Sequence, residues 1–462
     1  MLNYLWLALV TLAALIGAAT GHLGEVTAGA FQMADTAVMK IALPLVGVMA
    51  LWLGMMRLAE RSGLVRQIAR ALRPLMRRLF PDVTAEHPAM GSMLMNMAAN
   101  MLGLANAATP LGLRAMKDLE TLNKVPGTAT NAMCTFLAIN TGSIQLIPTT
   151  AIAILASQHA QNPTAIVGTA LLASICATTA GVTTAKWLAT WRLFRIAPEM
   201  ANGAAASAAP ATAAPAAPVV LTEPAPLSTW GRVALGLLAA AFAALFAWIA
   251  FAPASYHAAT AALHARIFPA NVPLPAWEDT STQHIFLRAI GTLSLLAVPF
   301  MLVAFPIYAA LRRVKVYEEF VEGAKEGFQV ALRIIPFLVA ILVAIGMFRG
   351  AGGIEAMKSV LAPLLTPLGF PSDLLPMVLV RPLSGSATMG LFTELVQRLG
   401  PDSLTVRMAG TIFGSTETTF YVIAVYFGSV AVRRARHAVA AGLVADFVGV
   451  VASVVICRLM FG

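Results

Sequence analysis

The sequence predicts an all-α polytopic membrane protein of about ten transmembrane helices, some broken or re-entrant. Two copies of one unit are expected, inserted in opposite directions. Three observations carry this. Of 462 residues, 59% are hydrophobic and 11% charged, against roughly 25% charged in a soluble domain. The apolar runs are continuous and Ala/Leu-rich, without the ten-residue alternation of a transmembrane barrel strand. Motifs of the first half recur in the second with their flanking charge bias reversed.

Taken in order, candidate spans fall at 3–20, 36–57, 129–156, 164–190, 229–252, 285–311, 328–348, 374–398, 405–430 and 437–460. The first lacks a Lys or Arg n-region, so it is expected to be a retained span and not a signal peptide. Segment 57–80 sets Arg57, Arg61, Arg66, Arg70, Arg73 and Arg77 three to five residues apart, with Leu58, Val65, Ile68, Leu72, Leu75 and Leu79 between them. That pattern predicts an amphipathic helix lying flat at a membrane surface, and its arginines mark that surface as cytoplasmic. Segment 88–120 is too rich in Met, Asn and Gly for an ordinary span. Three domains follow: a membrane half over 1–197, a disordered Ala/Pro-rich linker over 198–228, and a second membrane half over 229–462 that begins with two extra helices.

The repeat is read from paired motifs. Leu43-Pro44 heads a span ending Gly54-Met55-Met56-Arg57, and Ile335-Pro336 heads one ending Gly346-Met347-Phe348-Arg349. Each is followed by Phe-Pro (Phe80-Pro81, Phe370-Pro371) and then by a small-residue stretch beginning at Leu104 or Leu383. The first copy's span runs into the arginine cluster, whereas the second starts after Arg312, Arg313 and Lys325. The uncharged loop Ser157–Pro163 has a counterpart holding Arg433, Arg434, Arg436 and His437. This places the N-terminus and linker in the cytoplasm. The net charge of +10 is then a topology signal; no basic stretch is interleaved with aromatics, so nucleic acid is excluded as a partner.

Four polar stretches interrupt the apolar context: Asn96–Thr109, Asn140–Thr150, Ser384–Thr388 and Gly414–Thr419. Unwound backbone at membrane depth is tolerated only where protein buries it or where it lines a cavity. Small residues also serve dense helix packing, and both uses stay open. As a substrate cavity, the stretches would present Asn100, Asn106, Thr109, Asn140, Thr141, Ser143 and Gln145 from one copy. Ser384, Ser386, Thr388, Ser415, Thr416, Glu417 and Thr418 would come from the other. Glu417 is the sharpest candidate, since an ionisable group in an apolar run is costly and marks function by default; a neutral glutamate bonded to backbone is the alternative. Glu417 and Asp446 are the candidate coupling groups, with Asp446 either a proton relay or the partner of a base such as Arg381.

Cys134, Cys176 and Cys457 lie far apart in apolar helices, without metal-ligand spacing. There is no His-Glu-x-x-His, no Gly-x-Ser-x-Gly and no P-loop. No enzymatic activity, metal or cofactor is expected. The expected partners are the lipid bilayer and an unidentified small molecule or ion, with homo-oligomerisation left open.

The strings Asn100–Pro110 and Ile139–Thr150 resemble spore maturation protein A. Pro382–Ser386 and Gly414–Val422 resemble spore maturation protein B. The chain is thus similar to a fusion of both, members of the nucleoside-recognition or gate-domain group. The resemblance implies a bacterial inner-membrane protein with a transporter-like core and no established substrate. The uncharged polar groups with one carboxylate fit a nucleoside-like solute, a carboxylate or a cation, moved by alternating access of the two copies; the alternative reading is a non-transporting scaffold for envelope or spore maturation.

Overall fold

The computed structural model describes residues 2–103, 105–194, 225–269, 272–273, 283–356, 359 and 369–462. Linker residues 198–224 and the side chain of Asn106 lie outside the described set. Among the described residues the chain is helical, with one isolated bridge between Thr128 and Arg434. Six of the described helices are long and apolar enough to cross a membrane unbroken.

Helix α1 (Leu2–Thr20) turns at Gly21, whose φ of 79° suits glycine, into α2 (Leu23–Asp35). A wide-turned π segment, Thr36–Ala42, joins α2 to α3 (Leu43–Arg61), making one helix of 39 residues. Pro44 has no N–H to offer the carbonyl four residues back. That carbonyl, on Lys40, accepts from Gln158 Nε2 at 2.8 Å. The sequence pattern starts this span at residue 36. The structure starts it at Leu23, because one side of the more polar first half packs closely along a helix of the other copy.

Chain reversal at Gly63 (φ 78°) leads into the basic helix α4 (Leu64–Leu79). Arg57 and Arg61 therefore belong to α3 and not to the surface helix. Arg57 pairs with Glu319 (2.8 Å) and with Glu326, and Arg61 with Glu319 (3.3 Å). Next come a hairpin of α5 (Pro88–Met101) and α6 (Ala105–Glu120), a broken helix of α7 (Asn131–Gly142) and α8 (Thr149–Ser157), and α9 (Ile166–Ala189).

After the linker, α10 (Thr229–Phe251), α11 (Pro253–Ile267) and α12 (Ile285–Leu311) are the added elements. Helix α11 lies between the two apolar spans α10 and α12. Helix α12 docks on α9 through Gly168, whose N–H donates to Ser294 Oγ at 2.9 Å. The second copy then runs through α13 (Val316–Gly350), a short α14 (Leu375–Val380) with α15 (Gly385–Leu399), a broken pair α16 (Leu404–Ser415) and α17 (Thr419–Gly428), and α18 (Ala438–Phe461).

Equivalent helices of the two copies lie antiparallel against each other, as inversion requires. Along α13, Gly323 meets Leu53 and Gly54, Gly327 meets Ala50, Gly346 meets Gly29, and Gly350 meets Glu25. Along α18, Ala445 meets Gly181 and Gly449 meets Ala177. The first contacts also extend the repeat beyond its sequence motifs. Glu25-Val26-x-x-Gly29-Ala30 matches Glu319-Phe320-x-x-Gly323-Ala324. A Cβ on Gly29 would lie 2.6 Å from Gly346 O, and one on Gly323 would lie 2.6 Å from Leu53 O and 2.8 Å from Gly54 Cα. Since Gly54 and Gly346 are equivalents, these are one contact seen twice across a pseudo-twofold axis. Gly29 to Leu43 is two residues longer than Gly323 to Ile335, and the π segment absorbs the excess in its wider turn.

Candidate functional site

The broken helices are built alike. Helix α7 starts at Thr130, whose hydroxyl accepts from Met133 N, and α16 starts at Ser403, whose hydroxyl accepts from Val406 N; each runs 12 residues to its break. Ser143 ends α7 with a left-handed φ of 30°, and residues 143–148 then run without helix. In α16 the break is Thr416–Thr418. Each break is docked to its own copy's hairpin turn by one backbone bond, Leu146 N to Met101 O (2.9 Å) and Phe420 N to Pro382 O (3.0 Å). The two breaks then join each other: Glu417 N donates to Thr141 O at 2.8 Å, and Gln145 Nε2 donates to Glu417 Oε1 at 3.2 Å.

Beside this crossing lies a polar cavity of about 280 Å³. Its wall takes Asn100 and Gly103 from the first hairpin, Gln145 and Pro148–Ala151 from the first break, and Ile334 from α13. From the second copy come Arg381, Gly385, Ser386 and Met389, together with Phe413, Gly414 and Glu417. All four polar stretches of the sequence meet here.

Of the expected residues, Asn100, Gln145, Ser386 and Glu417 face the cavity. The other described ones are not part of its wall. Asn140 is buried and bonded: its Oδ1 accepts from Asn100 Nδ2 (2.9 Å) and Tyr426 OH (3.4 Å), and its Nδ2 donates to Phe136 O. Ser384 caps α15 by accepting from Ala387 N, and Thr388 donates back to Ser384 O. Ser415 meets Ser453 at 3.2 Å. Thr141, Ser143, Thr416 and Thr418 are buried, Thr109 is half-buried on α6, and Asn106 lies outside the described side chains.

Asp446 sits in a separate buried layer, where α18 crosses the end of α7. Its Oδ2 accepts from Thr419 Oγ1 at 2.6 Å, while its Oδ1 has no partner. Thr141 Oγ1 and Thr178 Oγ1 are buried without partners as well. A Cβ on Gly442 would lie 3.4 Å from Thr141 Oγ1 and 3.3 Å from Thr419 Oγ1, which sets these oxygens in one layer. No ion pair joins Asp446 to Arg381 among the described residues.

Arg381 is the wall residue that sequence patterning undervalues. It is 4% exposed, and its guanidinium satisfies the end of α16: Nη2 donates to Phe413 O (2.9 Å) and to Thr416 O, Nε to Thr416 Oγ1 (3.3 Å). A cation at a helix C-terminus meets the last carbonyls and the negative dipole end. The guanidinium also lies over the Phe413 ring, 4.8 Å from its centroid. The available signal is an arginine placed immediately before Pro382-Leu383-Ser384-Gly385-Ser386 in an apolar run.

Fold and site together define a gate-type membrane protein, and a family model described as nucleoside recognition matches residues 42–158 and 331–433. The chain is 43% identical over 176 residues to spore maturation protein B of Bacillus subtilis (strain 168), covering 38% of this chain and 99% of that one. It is 42% identical over 175 residues to spore maturation protein A of the same organism, covering 38% of this chain and 89% of the relative. The chain belongs to the spore maturation protein A and B family, in an arrangement consistent with a fusion of the two.

Proposed function

We propose that this protein moves a small polar solute across a bacterial inner membrane by alternating access of its two inverted copies, with the N-terminus and linker cytoplasmic. One observation carries the reading: the Glu417 N–H to Thr141 O bond, where a broken helix of each copy crosses the other beside the cavity. Rocking one copy against the other would remake this crossing and present the cavity to alternate sides. Glu417 is the group that senses the solute. Asp446, with the unpartnered Thr141 hydroxyl in its layer, is the candidate coupling site, because a proton or a hard monovalent cation satisfies such oxygens.

The test is uptake of labelled glycine, succinate and uridine into proteoliposomes. Wild-type protein is expected to accumulate at least one of these, and Glu417→Gln to lose at least tenfold in rate while melting at the wild-type temperature. Full activity in Glu417→Gln removes that residue from the site. No uptake of any probe by the wild type favours the scaffold role in envelope or spore maturation.

A further inference from the structure

We infer that the solute is a small zwitterion, bearing a carboxylate and an ammonium group a few atoms apart, as in a short neutral amino acid. This rests on the transport reading and names its substrate class.

The cavity wall carries a basic and an acidic group, Arg381 and Glu417, which feel each other electrostatically but form no ion pair among the described residues. Arg381 has five N–H donors. Its Nε and Nη2 are spent on Thr416 and Phe413, and Nη1 has no acceptor among the described residues. Nη1 lies 3.9 Å from the point a Cβ of Gly385 would occupy, so the free edge of the guanidinium faces the start of α15. There the Ser384 hydroxyl is taken by Ala387 N, and the N–H groups of Gly385 and Ser386 are the first two of the helix, which have no intrahelical acceptor. A buried guanidinium edge beside a helix N-terminus and the Ser386 hydroxyl is a carboxylate site. Elsewhere on the cavity wall, Glu417 accepts from Gln145 and has no cation within 4.0 Å among the described residues. It is placed to take an ammonium group.

Charge then discriminates between solutes. A bare carboxylate would sit in a small cavity with Glu417 left facing it, and a bare amine with Arg381 left facing it. A neutral nucleoside would bring no counter-charge of its own to either group, whereas a zwitterion brings one to each. The Phe413 ring is already engaged, with the guanidinium over it and Phe392 stacked on it at 5.8 Å, so it offers little to a base. A cavity of about 280 Å³ lies at the lower end of the roughly 300–1,000 Å³ of ordinary ligand sites. Ala151, Ile334 and Met389 leave an apolar corner for a short aliphatic side chain.

The experiment compares L-alanine with its two truncated forms, propionate and ethylamine, and with uridine, by thermal shift of the full-length protein in detergent. L-alanine is expected to bind at least tenfold more tightly than propionate, ethylamine or uridine. In Glu417→Gln the alanine-to-propionate ratio should collapse to near one. If that variant does not fold, Ser386→Ala serves: it should weaken alanine and propionate alike and leave ethylamine unchanged. Equal shifts from alanine and either truncated form, a larger shift from uridine, or an unchanged ratio in Glu417→Gln overturn the zwitterion assignment. Uptake of uridine or succinate with no effect of alanine sinks the substrate class and keeps transport, whereas no shift and no uptake with any probe sinks both.

Discussion

Adding one methyl group at Gly323 or at Gly29 tests the antiparallel contact between the copies. In Gly323→Ala the new Cβ would stand 2.6 Å from Leu53 O, 2.8 Å from Arg57 Cβ and 2.8 Å from Gly54 Cα. In Gly29→Ala it would stand 2.6 Å from Gly346 O. The close atoms are mostly backbone, so no rotamer change relieves the clash and the helices must separate. Overpacking of this kind costs about 1–3 kcal/mol. Exchanging glycine for alanine inside a helix gains up to about 1 kcal/mol in propensity. The quantity to read is therefore the difference from Gly47→Ala, a helical site with nothing within 4 Å of the new atom. Equilibrium unfolding in mixed micelles should place each contact variant about 1–3 kcal/mol below that control. Gly323 and Gly29 act at opposite ends of α13, about 35 Å apart along the helix, so the double variant should lose the sum. If Gly323→Ala matches Gly47→Ala, the close approach between the copies is refuted.

Two other perturbations follow from the structure. Asn140→Leu removes the acceptor of both Asn100 and Tyr426 and should cost about 1–3 kcal/mol, measured by the same unfolding titration; no loss would mean that these bonds are not formed. His437 caps α18 outside the span, fully buried against Phe194 and without a hydrogen-bond partner. Burial, reinforced by Arg436, pushes its imidazole from 6.5 down to about 4. The folded protein thus holds it neutral where the unfolded chain takes up a proton, so stability is full above pH 6.5 and falls towards pH 4, by on the order of 3 kcal/mol from this group. His437→Phe keeps the ring contact and should flatten that slope between pH 7 and 4.5; an unchanged slope contradicts the assignment.

The breaks were legible because their chemistry is local. Gly142-Ser143 and Pro148 in one copy, and Ser384-Gly385 and Thr416 in the other, are residue types that favour helix ends and caps over helix interiors. What two copies do to each other was not legible. Glu25 and Gly29 carry no apolar pattern, and only packing along α13 makes α2 part of one long helix. Arg57 and Arg61 share the spacing of the surface arginines, yet glutamates more than 250 positions away claim them. Arg381 shows the same limit: a lone arginine in an apolar run does not announce that a helix end 32 residues later receives it.

The central claim is that the cavity between the two breaks opens to each side of the membrane in turn. It is tested most directly by Ser386→Cys in a chain whose Cys134, Cys176 and Cys457 are replaced, challenged with a membrane-impermeant maleimide in right-side-out and inside-out vesicles. Alternating access predicts modification of the introduced thiol from both faces, and slower modification from both when L-alanine is present. Modification from one face alone, or from neither, contradicts it.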